Sequence, residues 1–337
     1  MLFRSHSLTL MWFGQFLAHD IALTRQHESP ENCCNDTNLN DPNCFTVTVP
    51  GWDPVFTPGC LHFARSLYAE RGCLPDTGLA ILDYNEINNK ATHLIDLSMV
   101  YGNNETEAES LRNFTGGRLT VKEGAYGQEL LPENSHDACP MTSATGYCQL
   151  TGDPRVNDVD YLGMSHTLFL RQHNLIADQL AAINPGWDDE RLYQEARKIL
   201  IGLFQNIVYK EFLPEVLGPK LPGLNMLTIN ETGFQDDYDE TVLPIIFNEF
   251  VTAAMRFGHS LIPPHLAYLL ADYCIMDWYS MVHEFGDSQM LYLNDGANLT
   301  EFTRWATYDH VMKADRFIEA EMRNYLNKGD DIGMRNV

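Results

Sequence analysis

Basic residues are scarce in this chain. Of 337 residues only 22 are Lys or Arg, against 46 Asp or Glu, so the formal net charge is −24 and the isoelectric point about 4.7. No Lys/Arg block interrupts that balance. Such a chain repels nucleic acid and anionic membrane surfaces, so neither is expected as a partner. No run of 18 apolar residues occurs, so nothing in the sequence reads as a membrane span. There is no Cys-x-x-Cys, and the eight cysteines (Cys33, Cys34, Cys44, Cys60, Cys73, Cys139, Cys148 and Cys274) lack the spacing of a zinc site. No internal repeat is visible. What remains is ordinary for a globular chain, 45% hydrophobic and 20% charged, with ample material for a core.

The even cysteine count, with Asn-x-Ser/Thr triplets at Asn35, Asn104, Asn113, Asn230 and Asn298 in polar or turn-like surroundings, favours an oxidising, extracellular compartment. The first 18 residues hold one Arg and then an apolar run, as a signal peptide does. Cleavage near Ala18 would cut away the chemistry-bearing stretch that begins at Gly14. The run is therefore read as a core helix, with the secretion signal expected outside this chain.

Helical periodicity dominates. Residues 161–183 carry Leu162, Leu168, Ile176 and Leu180 among polar side chains, and Asn184-Pro185-Gly186 breaks the pattern. Asp188-Asp189-Glu190 opens a second helix, with acids where the dipole favours them, and Pro214 marks its expected end. Further helices are expected over 245–258 and 311–327, and a short one within 61–72. Strand signals are brief, over 45–49 and 118–121. Residues 28–60 and 115–150 read as loops, the second closed by a Cys139–Cys148 disulfide. The expectation is a mainly α protein, one domain over 1–337, with long loops tied by disulfides.

Several short segments carry chemistry-bearing side chains. Gly14-Gln15-Phe16-Leu17-Ala18-His19-Asp20 sets a His beside an Asp in an apolar run. Neighbours in a helix do not share a face, so His19 and Asp20 are free to serve sites on opposite sides. The bland alternative is a core histidine with a hydrogen-bond partner. Thr92, Asp96 and Ser98 place oxygens at alternating positions, a donor set suited to a hard cation such as Ca²⁺, or else a polar strand edge. Arg155, in the turn Gly152-Asp153-Pro154-Arg155, is either a surface partner of Asp153 or a rare fixed cation in an acidic chain. His259, after Arg256-Phe257-Gly258 at a helix end, is a dipole partner or an axial haem ligand. His166 and His173 stand seven apart, about 10 Å along a helix, too far to share a metal, and are assigned structural roles.

In this order and at these separations the segments resemble the animal haem peroxidase family, and secreted invertebrate members of the peroxidasin, chorion peroxidase and peroxinectin kind most of all. Met164 to Asn174 and Arg191 to Arg197 extend the resemblance over nearly the whole chain. It implies haem b and Ca²⁺ as cofactors and hydrogen peroxide as oxidant. His19 would be the distal acid–base group, Arg155 the cation that stabilises the departing oxygen, and Gln15 a ligand to the distal pocket. His259 would bind the haem iron, and Arg256 would pair with a propionate. Asp20, Thr92, Asp96 and Ser98, with the Leu94 carbonyl, would hold the calcium.

Two departures matter. Family members esterify haem methyls through two carboxylates, but the position before the distal His is Ala18, and the second is Asp158, one methylene shorter than the usual Glu. Val159 replaces the Met of a sulfonium link. At most one ester is expected, through Asp158. Iodide, bromide, thiocyanate or phenolic donors such as tyrosine are then expected rather than chloride. The stretch Asp330 to Val337 resembles the lead-in to a further family segment, so the chain is expected to be a shortened domain. The alternatives are a non-catalytic extracellular adhesion or matrix protein on the same scaffold and, ranked last, a fatty-acid oxygenase of the superfamily.

Overall fold

The computed structural model describes residues 6–24, 33–35, 38, 40–54, 56–68, 86–134, 148–218, 233, 238–242, 244–281, 285 and 288–325. Nine α-helices and three two-stranded antiparallel hairpins are found among them. The longest helices are α4 (Asp160–Ile183) and α5 (Asp189–Ile207), which pack along each other. The start of α5 is capped by Asp188, which accepts the Arg191 N–H at 2.9 Å. Its end differs from expectation. Pro214 does not stop it, because the chain continues through a π-turn at Val208–Phe212 into α6 (Leu213–Leu217), where proline occupies the first turn.

The opening apolar run is a helix, α1 (Thr9–Ile21). It separates two hydrophobic cores. Met11 and Trp12 join Tyr161, Leu162, Tyr268, Phe302 and Trp305 in one; Phe16 and Leu17 join Tyr101, Tyr193, Phe204 and Phe212 in the other. Such burial on both flanks explains why the run is apolar almost throughout, which gives it a leader-like composition. The long α4 spans both cores in the same way, with Tyr161 and Leu162 in the first and Leu170 and Ala177 in the second.

The remaining elements are short. Val47–Val49 (β1) pairs with Gly59–Leu61 (β2), and the disulfides Cys33–Cys44 and Cys34–Cys60 tie this region. No helix follows within 61–68, where the backbone makes isolated bridges from Ala64 to Cys44 and from Tyr68 to Ile87. Ser98–Tyr101 (α2) and Glu105–Ser110 (α3) are brief. Within 118–121 only Leu119 bridges, to Arg112, and the paired strands are instead Lys122–Glu123 (β3) and Glu129–Leu130 (β4). The expected helix over 245–258 is broken into α7 (Asn248–Thr252) and a 3-10 segment, Ala254–Leu261. A hairpin of His265–Leu269 (β5) and Ile275–Ser280 (β6) follows, which sequence reasoning missed. Ala297–Tyr308 (α8) is a buried helix that periodicity missed, whereas the expected 311–327 helix shrinks to Ala320–Tyr325 (α9). No helix among the described residues is long and apolar enough to cross a membrane. Cys148 is disulfide-bonded, while Cys139, Cys73 and Asn230 lie outside the described residues.

Candidate active site

Gln15, Ala18 and His19 stand at the i, i+3 and i+4 positions of α1 and face one cavity of about 690 Å³, its mouth included. A second wall is the α7–3-10 break, which supplies Val251, Met255, Arg256, Gly258 and His259. Arg155 closes a third side. Thus four of the residues singled out for catalysis or haem binding, His19, Gln15, Arg155 and His259, line the same space, and Arg256 joins them.

His19 is 6% exposed, and its Nδ1 has no hydrogen-bond partner among the described residues. Burial, and then the nearby Arg155 charge, hold its pKa well below the ordinary histidine value. His259 is pushed down to about 4 by burial and by Arg256. Both imidazoles are therefore neutral at physiological pH, with a lone pair to offer a proton or a metal.

Arg155 is gripped from behind. Its Nε donates to Asp153 Oδ1 at 2.9 Å and its Nη2 to Asp153 Oδ2 at 2.5 Å, a two-pronged pair. Nη2 also donates to the His19 carbonyl at 3.2 Å, which locks the guanidinium to the helix that carries the histidine. Asp153 is 1% exposed and accepts the Arg155 backbone N–H at 2.9 Å, capping the short Pro154–Asn157 turn. Burial would raise its carboxyl, but Arg155 and these bonds hold it far below the usual range. The bland reading of Arg155 as a partner of Asp153 is thus half right: the pair exists, and it aims the arginine. Asp153 itself is a residue that sequence reasoning left aside; its signal was the Asp-Pro cap two positions before Arg155.

Gln15 accepts a hydrogen bond from the Tyr161 hydroxyl, a second partner that the sequence did not announce. Asp158 is half-buried and does not line the cavity. Its carboxyl is raised to about 7 by burial, with Arg155 opposing and Asp153 adding to the shift.

Asp20 faces away from the cavity, as adjacent helix positions must. It is fully buried, and its Oδ2 accepts the backbone N–H groups of Asp96 at 3.0 Å and Leu97 at 3.2 Å. Ser98 Oγ donates to the Asp20 carbonyl at 3.1 Å. Thr92 Oγ1 donates to Asp96 Oδ1 at 2.8 Å and lies 3.3 Å from Ser98 Oγ and 3.5 Å from the Leu94 carbonyl. Five oxygen-bearing residues thus converge. Burial, and then the like charge of Asp96, push Asp20 up to about 7. An all-oxygen set with two crowded carboxylates fits a hard divalent cation.

The cavity suits haem on its own chemistry. Leu10, Met11, Val251, Leu261 and Ile262 make it apolar, Ala18 and Gly258 leave room, and two neutral imidazoles stand on different walls. Arg155 and Arg256 both face the space; partial burial and the like charge of Arg155 pull Arg256 below the usual guanidinium range. Two cations beside an apolar slot call for an anionic ligand.

A family model described as animal haem peroxidase matches residues 3–335. The chain is 34% identical over 304 residues to a peroxidase of Drosophila melanogaster, covering 82% of this chain and 43% of that protein. It is 37% identical over 271 residues to the chorion peroxidase of the same species, covering 76% of this chain and 32% of that protein. Among solved structures, peroxidase A from Dictyostelium discoideum superposes with a TM-score of 0.77 at 27% identity, covering 99% of this chain and 62% of the other. The chain therefore spans less than half the length of these two curated relatives.

Proposed function

The chain belongs to the animal haem peroxidase family, and on that premise we propose that it reduces hydrogen peroxide while oxidising a halide, thiocyanate or phenolic donor. The observation that carries this reading is one cavity lined by His19, Arg155 and His259.

Haem, held by His259 with Arg256 on a propionate, would supply the redox chemistry. The side chains do the rest. Neutral His19 takes the first proton from peroxide and returns it to the departing oxygen, the transfer that a low-pKa imidazole performs well. Arg155 offsets the negative charge that develops on that oxygen, and its clamp to Asp153 means it need not reorganise as the charge appears. Gln15, fixed by Tyr161, offers its amide N–H to a ligand in the cavity. Asp20, Thr92, Asp96, Ser98 and the Leu94 carbonyl hold Ca²⁺, which pins the helix that aims His19.

With Ala18 in place of one carboxylate, haem attachment is at most a single ester through Asp158, whose side chain is one methylene shorter than the usual Glu and does not line the cavity, which disfavours that link. Acid–acetone should extract most of the haem; full retention would refute the weak link. The disulfides and the exposed triplets at Asn104 and Asn113 support an extracellular location, where matrix proteins are available as partners.

The deciding experiment is a Soret band with peroxide-dependent donor oxidation in the haem-loaded protein. Each of His19→Ala and Arg155→Ala should lower peroxide kcat/KM by about 10²-fold or more. A well-folded sample that takes up no haem would overturn this reading and favour the non-catalytic adhesion one.

A further inference from the structure

An unbroken file of aromatic rings leads from this cavity to the surface. It begins at Tyr161, whose hydroxyl is bonded to the cavity residue Gln15. Tyr161 stacks on Trp12 with ring centroids 5.3 Å apart and planes 3° from parallel. Trp12 lies 5.6 Å from Trp305, Trp305 lies 6.2 Å from His265, and His265 lies 4.4 Å from Trp278. The first three rings are buried in the core. The file then leaves it: His265 is half-buried, and Trp278 is 50% exposed. The file thus ends in an indole left half in water.

The hairpin fixes the last step. Trp278 is the register partner of Ala267, so it sits diagonally across from His265 on the same face of β5–β6. The buried end is tuned as well. Trp12 Nε1 is buried with no hydrogen-bond partner among the described residues, so an oxidised Trp12 has no base to which it can lose its proton. Trp305 Nε1 donates to Asp309 Oδ2 at 2.9 Å, and that same oxygen lies 3.9 Å from His265 Nε2. A carboxylate there stabilises positive charge on Trp305 and His265, nearer the surface. The Tyr161 hydroxyl donates to the amide oxygen of Gln15, a poor base, and burial holds its proton in place. The indoles, rather than the phenol, are then the sites where a missing electron rests.

We propose that Trp278 is a surface oxidation site, connected to the cavity through His265, Trp305, Trp12 and Tyr161, for phenolic donors too bulky to enter it, such as tyrosine in a protein. This rests on the peroxidase reading. Reducing one peroxide to two waters takes two electrons and two protons. Each phenol gives one electron to oxidised Trp278 and one proton to solvent, leaving as a phenoxyl radical, so two phenols balance one peroxide. The strongly acidic surface should favour neutral or cationic donors.

The test uses the haem-loaded protein, peroxide and a nitroso spin trap, with no donor, followed by peptide mapping. A trap adduct on Trp278 is expected, and it should disappear from that position in Trp278→Phe and fall in His265→Leu, which interrupts the file at a half-buried position. The ratio of tyrosine-protein oxidation to iodide oxidation should fall about tenfold or more in Trp278→Phe. A Soret band and iodide oxidation without an adduct on Trp278, or with that ratio unchanged, would overturn this proposal alone. A protein that shows no Soret band would overturn it together with the peroxidase reading.

Discussion

Asp153 shows how a residue away from the reacting atoms sets the chemistry. Its carboxylate has one partner, Arg155, held at two atoms, and the pair is mostly shielded from water. Replacing it with Asn leaves Arg155 without its clamp and free to swing out of the cavity. Asp153→Asn should lower kcat/KM for peroxide by about 10²-fold, measured by stopped flow, because an aimed cation is what the departing oxygen needs. Unchanged kinetics would mean that His19 and its carbonyl suffice to place the guanidinium.

Two histidines outside the cavity set an acid limit on stability. His166 is fully buried, with neither ring nitrogen bonded among the described residues, and burial pushes it down to about 4. His173 is also down to about 4 by burial, and it is bonded to the Tyr101 hydroxyl and the Gly117 carbonyl. Between pH 6.5 and 4 the unfolded chain takes up protons that the folded one refuses. Their contribution is thus fully present above 6.5 and is lost as pH falls towards 4, by about 3 kcal/mol for each histidine. Because the carboxyls of Asp20 and Asp158, both raised to about 7, act with the opposite sign over the same range, the histidine contribution is read by difference: in urea unfolding at pH 7 and 4.5, His166→Leu should lose less stability on acidification than the parent protein. An equally steep profile in that variant would refute the assignment.

At the scale of elements, α1 organises the site because its two flanks meet two different cores. One face carries His19 to the cavity and the next position carries Asp20 to the oxygen cluster. Gly152 ties the cluster to the arginine turn: a Cβ there would lie 2.3 Å from the Gly102 nitrogen and 2.6 Å from the Ser98 carbonyl oxygen, so only glycine allows α2 and the turn to touch. Millimolar Ca²⁺ should raise the melting temperature of the protein, with about 2.7 kcal/mol expected at a hundredfold excess over the dissociation constant. Asp96→Asn should abolish the rise, read by calorimetry. The α7–3-10 break was not legible in the sequence. A continuous apolar pattern over 245–258 hides a bend that comes from packing against α1, and the bend sets His259 on the cavity wall.

Across the whole molecule, the sequence read the mainly α class and most helix centres correctly, because amphipathic periodicity is a local property. It missed the β5–β6 hairpin, whose second strand exposes Ile275, Asp277 and Trp278, and α8, whose buried Leu299, Phe302, Trp305 and Ala306 are interleaved with polar residues over a short span. Surface and interior were also misjudged at one sequon. Asn298 is 2% exposed, donates to the Met290 carbonyl at 3.0 Å and accepts from Asn294 at 2.8 Å. A secreted preparation should carry glycan at Asn104 or Asn113 and none at Asn298, as glycopeptide mass spectrometry would show.

The sequence alone determined the chemistry on offer. Residue types and their spacing fixed which side chains are available, a His beside an Asp, an isolated Arg after an Asp-Pro turn, a His at a helix end and a set of alternating oxygens. Those facts survive any folding of the chain. The tertiary structure alone decided that His19, Arg155 and His259, up to 240 residues apart (259 − 19), share one cavity, and that Asp153 stands behind the arginine. It also decided that Trp12, Trp305 and Trp278 form a file to the surface. Local sequence encodes which face of a helix is apolar; only the packing of distant elements decides what that face meets.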